Sequence, residues 1–134
     1  MADLSPVETL QAAAAKLREL VKKATPGPWT AHSDGLVWPE RMGDPVSGST
    51  EQEDAEWIAF AHPGVAEPLA DWLDAQAEDL GWHMAAWTHV NPGEESGFFG
   101  QAARDPARLA QLTADHSGRA LAVARVLLGV PDGR

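Results

Sequence analysis

The segment KATPGPWTAHSDGLVWPE, residues 23–40, sets the tightest limit on what this chain can fold into. Pro26 and Pro28 lack an amide hydrogen, and each turns the preceding residue away from helical geometry, so a helix arriving from the N-terminal side stops near residue 24. Trp29 to His32 and Leu36 to Trp38 then flank Ser33-Asp34-Gly35. Asp-Gly supplies the positive φ that a tight hairpin needs, so an antiparallel hairpin is expected over 29–38. A lone hairpin is marginal in water and must lie against a helix. Pro39 closes the second strand, and RMGDPVSGS reads as a loop with a third short strand at Val46. Gly27 stands between two prolines that have no N–H to offer, so this is no phosphate-cradling glycine loop.

Helical patterns fill the rest. Ser5-Pro6-Val7-Glu8 is a capping box with proline at the first helical position. Val7, Leu10, Ala14, Leu17 and Val21 follow at steps of three and four, predicting a helix over 5–24, with Lys22 and Lys23 at its negative end. Thr50-Glu51-Gln52-Glu53 repeats the capping logic and opens a helix over 51–61, with Trp57, Ile58, Phe60 and Ala61 expected inside. His62-Pro63-Gly64 breaks it. The next helix, 64–80, has one face made by Val65, Leu69, Trp72, Leu73, Gln76 and Leu80; Pro68 marks a later start or a kink. GWHMAAWTHV supplies a further short helix over 82–90, followed by a loop over 91–104. Asp105-Pro106 caps a last helix over 105–129, with Leu109, Leu112, His116, Ala120, Val123, Leu127 and Val130 as its apolar stripe and Gly118 as a place to bend or pack closely. Together these predict an α+β fold: one mainly helical domain over 1–134, four or five helices around one core, with a small antiparallel β-hairpin.

The net charge of −10 is unevenly placed. No Lys or Arg lies between Arg41 and Arg104, while Asp44, Glu51, Glu53, Asp54, Glu56, Glu67, Asp71, Asp74, Glu78, Asp79, Glu94 and Glu95 do. Such a chain has the wrong sign for nucleic acid phosphates and suits a partner with a basic surface. Glu67, Asp71, Asp74 and Glu78 fall within roughly 60° of arc at helical spacing, an acidic ridge with like charges four apart. It is either a solvated face met by Arg104, Arg108, Arg119 and Arg125 of the last helix, or a docking face for a basic protein. The absence of cysteine removes disulfides, thiolate nucleophiles and zinc-thiolate sites. The N-terminal segment MADLSPVETL has no signal-peptide pattern, and no apolar run approaches the roughly 20 residues that span a bilayer. A cytoplasmic location without membrane association is expected.

Chemistry-bearing motifs are sparse. His83 and His89 are six apart and diverge on a helix, so the metalloprotease spacing is missing, and neither His32 nor His62 has a second ligand at a recognised spacing. His116 reads as a packed histidine, and Ser117 beside it as no dyad, because adjacent helical residues point about 100° apart. No nucleophile elbow, Walker loop or dinucleotide fingerprint occurs. No catalytic residue, metal or cofactor is assigned. Of six tryptophans, Trp57 and Trp72 read as core; of Trp29 and Trp38, one is free to face a partner; Trp82 and Trp87 form either a patch or a second cluster.

Two segments, ATPGPWTAHSDGLVW and DAEWIAFAHPGVAEPLADWLD, with ALAVARVLLG near the end, resemble small uncharacterised proteins of actinobacteria and their phages. The resemblance covers roughly residues 5–80 and 117–129 and leaves 81–104 without a counterpart. It implies a phage or mobile-element accessory protein and carries no catalytic residue. The function expected is therefore binding of another protein without catalysis, through Glu67, Asp71, Asp74 and Glu78 or through Trp29 and Trp38. The alternatives are a small enzyme or small-molecule binder, with a pocket between the hairpin, His32, His62 and the 81–90 segment, and a nucleic-acid mimic that blocks a DNA-binding host protein.

Overall fold

The computed structural model describes residues 3–41, 43–48, 50–89 and 105–130. It is mainly helical with one small two-stranded antiparallel sheet. The elements run α1 (Pro6–Lys23), β1 (Trp29–Ala31), β2 (Val37–Pro39), α2 (Gln52–Phe60), a 3-10 turn (Pro63–Val65), α3 (Ala66–Thr88) and α4 (Pro106–Leu128). Two compact units are distinguished: residues up to 14 with those from 71 onward, and residues 15–70.

The unit spanning 15–70 is built on the hairpin. Trp29 pairs with Pro39, Thr30 with Trp38 and Ala31 with Val37. The Gly35 N–H donates to the His32 carbonyl at 3.0 Å and the His32 N–H to the Leu36 carbonyl at 2.9 Å, enclosing the three-residue loop Ser33-Asp34-Gly35. Asp34 Oδ1 accepts from the Leu36 N–H at 3.0 Å, and Gly35 takes φ +82°, the left-handed geometry its position in the turn was expected to need. The third strand expected at Val46 amounts to a single bridge, Val37 with Ser47, and a Val46 N–H bond to the Val37 carbonyl.

Helix α2 packs on both strands, burying Ala55 and Ala59 against Val37, with Trp29, Ala31, Val46 and Ile58 around them. This corrects two expectations. Thr50 does not cap α2: residue Glu51 is the N-cap and makes no side-chain capping bond. Thr50 donates instead from its N–H (3.1 Å) and its Oγ1 (3.2 Å) to the Gly35 carbonyl, tying the entry of α2 to the hairpin turn. Trp57, Phe60 and Ala61 are exposed rather than core. Close approach of a nine-residue helix to a twisted hairpin selects its alanine face, and Trp57 and Phe60 lie on the opposite one. His62 Nδ1 accepts from the Gly64 N–H at 3.0 Å and caps the 3-10 turn. Its ring occupies the space a Cβ at Gly27 would need, which accounts for glycine between the two prolines.

In the other unit, α1 begins as expected. The Glu8 N–H donates to Ser5 Oγ at 3.1 Å and the Ser5 N–H to Glu8 Oε1 at 3.2 Å. The hydrogen bonds from Ser5, first its side chain and then its backbone, hold the Glu8 carboxyl below its ordinary value. Leu10, Ala13 and Ala14 of α1, Leu73, Ala77, Leu80 and Trp87 of α3, and Ala120, Leu121 and Ala124 of α4 are buried. Each fully buried leucine contributes roughly 1.5–3 kcal/mol. The helices expected over 64–80 and 82–90 are one, so that among the described residues there are three long helices and the short α2. Gly81 does not break α3, because Trp87 six residues on is buried and outweighs the ~1 kcal/mol that a helical glycine costs. Pro68 lies in the first turn, where its missing N–H has no intrahelical partner to lose. The loop expected over 91–104 and the end of the 82–90 helix lie outside the described residues.

Helix α4 starts at Asp105, whose carboxylate accepts from the Ala107 N–H at 3.0 Å, and Pro106 follows. It ends at Gly129 (φ +68°), with the Gly129 N–H on the Val126 carbonyl and the Val130 N–H on the Arg125 carbonyl, the Schellman pair. Of its buried positions, Ala120 is on the expected stripe, and Thr113, Ser117, Leu121 and Ala124 lie one residue round from it. Inside it, Ser117 departs from helical geometry at φ −129°, ψ 15°. The bend thus falls at the Ser117-Gly118 pair, while a Cβ at Gly118 would meet nothing within 4 Å.

Candidate functional site

Asp79 and His83 are four apart on α3 and share one face; His116 comes from α4. His116 Nε2 lies 2.9 Å from Asp79 Oδ2, and His83 Nδ1 lies 3.5 Å from Asp79 Oδ1. The two imidazole centroids are 4.3 Å apart at 43°. One ligand-type atom from each of the three residues lies within 4.8 Å of the others.

The outer contacts fix both rings. His83 Nδ1 is 2.9 Å from the Asp79 backbone carbonyl, which can only accept, so Nδ1 is the donor in that contact. His116 Nδ1 is 2.6 Å from Ser117 Oγ. That contact overturns the expectation that residues 116 and 117 diverge: the non-helical dihedrals of Ser117 bring neighbouring side chains together. Trp87 stands edge-on to His116 at 5.8 Å, and Trp82 edge-on to His83 at 5.1 Å. A recess of about 370 Å³ opens beside His116 and Ser117, with Trp72, Gln76, Asp115 and Arg119 on its wall.

Ser117, His116 and Asp79 form a hydroxyl–imidazole–carboxylate chain of the kind used in nucleophilic catalysis. Ser117 is only 2% exposed, and its hydroxyl is in contact with the His116 ring. The accessible groups are the imidazoles and the carboxylate, with His116, His83 and Asp79 side chains 21%, 34% and 53% exposed. Two imidazoles and one carboxylate make a donor set suited to a divalent transition metal. The sequence carries one signal for it, the Asp79–His83 spacing of four; comparing histidines only with histidines overlooks it.

The residues singled out by the sequence are placed as follows. Glu67, Asp71 and Glu78 are exposed and Asp74 is half-buried. Arg18 Nε of α1 lies 3.9 Å from Glu67 Oε2, so the cation at that end of the ridge comes from α1. Trp29 is half-buried against the Val37–Ala55–Ala59 cluster, and its Nε1 donates to the Thr25 carbonyl at 3.1 Å. Trp38 is half-buried, tilted 6.0 Å from the His32 ring. Neither His32 nor His62 belongs to the Asp79–His83–His116 group.

The aromatic groups facing solvent are elsewhere. Trp57 and Phe60 of α2 are 67% and 72% exposed and stack on each other, centroids 6.0 Å apart at 26°. Around them α2 exposes Glu53, Asp54 and Glu56 and carries no basic residue. No helix among the described residues is long and apolar enough to cross a membrane. No protein-family model, curated protein or solved structure matches this chain.

Proposed function

We propose that the chain is a non-catalytic accessory protein of the phage or mobile-element type that binds another protein. The contact is made by the outer face of α2, and the partner presents a basic surface with an apolar recess. The observation that carries this reading is the Trp57–Phe60 stack, two large aromatic side chains held together in solvent on a helix whose other face is already committed to the hairpin. Aromatic residues dominate interface energetics, and a clustered exposed pair is a feature that isolated surface residues do not provide. The chemistry of the partner follows from charge: acids surround the stack, and the net charge of −10 steers cations toward the chain. The resemblance of the TPGPW and DAEWIA segments to actinobacterial and phage proteins supports the accessory class. On this reading Trp29 and Trp38 support the hairpin, and the ridge of Glu67, Asp71, Asp74 and Glu78 adds to the negative field.

The test compares capture by the tagged wild-type chain with capture by a Trp57→Ser, Phe60→Ser double variant, across a salt series. A basic protein retained by the wild type, released by salt and not retained by the variant supports the proposal. Equal retention by both chains overturns it.

A further inference from the structure

We propose that Asp79, His83 and His116 bind one divalent transition-metal ion, with Zn²⁺ as the reference ion, through Asp79 carboxylate oxygen, His83 Nε2 and His116 Nε2. This stands independently of the α2 surface. Three observations carry it. One donor-type atom from each residue, drawn from two helices, lies within 4.8 Å of the others, and the two imidazole centroids are 4.3 Å apart. His83 already donates its other ring N–H to a backbone carbonyl, the outer contact that orients metal-binding histidines. His116 has the matching contact in Ser117 Oγ at 2.6 Å, on a hydroxyl that is buried and fixed.

The proton count closes without an added acid or base. In the neutral ring that pairs with Asp79, His116 Nε2–H faces Asp79 Oδ2 at 2.9 Å, which leaves Nδ1 to accept from the Ser117 hydroxyl at 2.6 Å. When the ion binds, the imidazole changes tautomer: Nε2 gives its lone pair to the metal, and Nδ1–H donates to Ser117 Oγ. A hydroxyl serves both tautomers because it donates and accepts. Ligand atoms about 3.3 Å apart are what tetrahedral bonds of about 2.0–2.1 Å require, close to the 2.9 Å already present between His116 and Asp79. Three protein ligands leave a fourth position open to water or to a donor from a bound molecule. Imidazole donors favour Zn²⁺, Ni²⁺ and Cu²⁺ over Mg²⁺ and Ca²⁺, which take oxygen.

The experiment titrates chelator-treated full-length protein with ZnCl₂ by calorimetry, with MgCl₂ in parallel, and records the Co²⁺ absorption spectrum. One equivalent of Zn²⁺ binds, Mg²⁺ does not compete, and Co²⁺ gives the intense visible bands of low coordination number. His83→Ala weakens Zn²⁺ binding by roughly 100-fold or more, at or beyond the loss expected for an outer contact. Ser117→Ala weakens it by roughly 10–100-fold, and Ser117→Thr, which restores the hydroxyl, recovers it. His32→Ala has no effect, since His32 is not in the group. Circular dichroism of each variant confirms that the helices persist. Zn²⁺ binding that is the same in the wild type and in folded His83→Ala, or no Zn²⁺ binding by the wild type, overturns the proposal.

Discussion

His116 and Ser117 are neighbours in sequence inside one helix, yet their side chains meet at 2.6 Å, because Ser117 abandons helical dihedrals. The bend and the site are therefore one feature. Removing the hydroxyl should relax both: Ser117→Ala forfeits a buried hydrogen bond worth about 0.5–1.5 kcal/mol and regains part of that through alanine's helical preference. Urea denaturation should show a net loss of no more than about 1 kcal/mol, below the ~1.4–2.7 kcal/mol that a 10–100-fold loss of zinc affinity represents.

Gly35 is constrained twice, by φ +82° and by the Thr50 carbonyl, which occupies the space a Cβ would take. Gly35→Ala should therefore cost more than the roughly 1–2 kcal/mol of left-handed geometry alone. Thr50→Val, which keeps the N–H bond to Gly35 and removes the Oγ1 bond, should cost about 1 kcal/mol. Denaturant midpoints of the two variants give the comparison directly.

The core and the proposed interface should separate cleanly in a stability series. Leu73→Ala and Leu80→Ala remove fully buried side chains and should each cost about 2–5 kcal/mol. Trp57→Ser and Phe60→Ser act on side chains 67% and 72% exposed and should stay within about 0.5 kcal/mol of the wild type. A large loss from either aromatic variant would mean that the stack supports the fold.

The capping box sets a pH dependence. Glu8 has its carboxyl pKa lowered by the hydrogen bonds from Ser5, so the folded state binds this proton less readily than the unfolded chain. Its stabilisation is present above the ordinary carboxylate range and is lost as pH falls through the lowered folded value. Glu8→Gln should leave the acid limb of the stability–pH curve shallower than in the wild type, measured by thermal unfolding at a series of acidic pH values.

What the sequence discloses here is mostly local. Ser5–Glu8, the Asp34-Gly35 turn, Asp105-Pro106 and the helix stop at Thr25 are settled by residues within a few positions of one another, and each is found where expected. The buried faces are harder to read. On α3 and α4 the expected Leu73, Leu80 and Ala120 are buried, but so are Ala70, Ala77, Ser117 and Ala124, small residues that a search for large apolar side chains passes over. On α2 it is packing against Val37 and the hairpin around it that turns Ala55 and Ala59 inward and leaves Trp57 outward. Pairing of His83 with His116 spans two helices and depends on a bend at Ser117, which no local rule sets.

We propose the outer face of α2, with Trp57 and Phe60, as the surface that meets a partner. The most direct measurement is the affinity of the captured basic protein for the wild type and for the Trp57→Ser, Phe60→Ser variant, each at low and at physiological salt. The expected result is a wild-type affinity that falls with salt and a variant affinity at least ~10-fold weaker at both, in line with the loss of interface anchors worth more than 1–2 kcal/mol. Equal affinities in the two chains would contradict it.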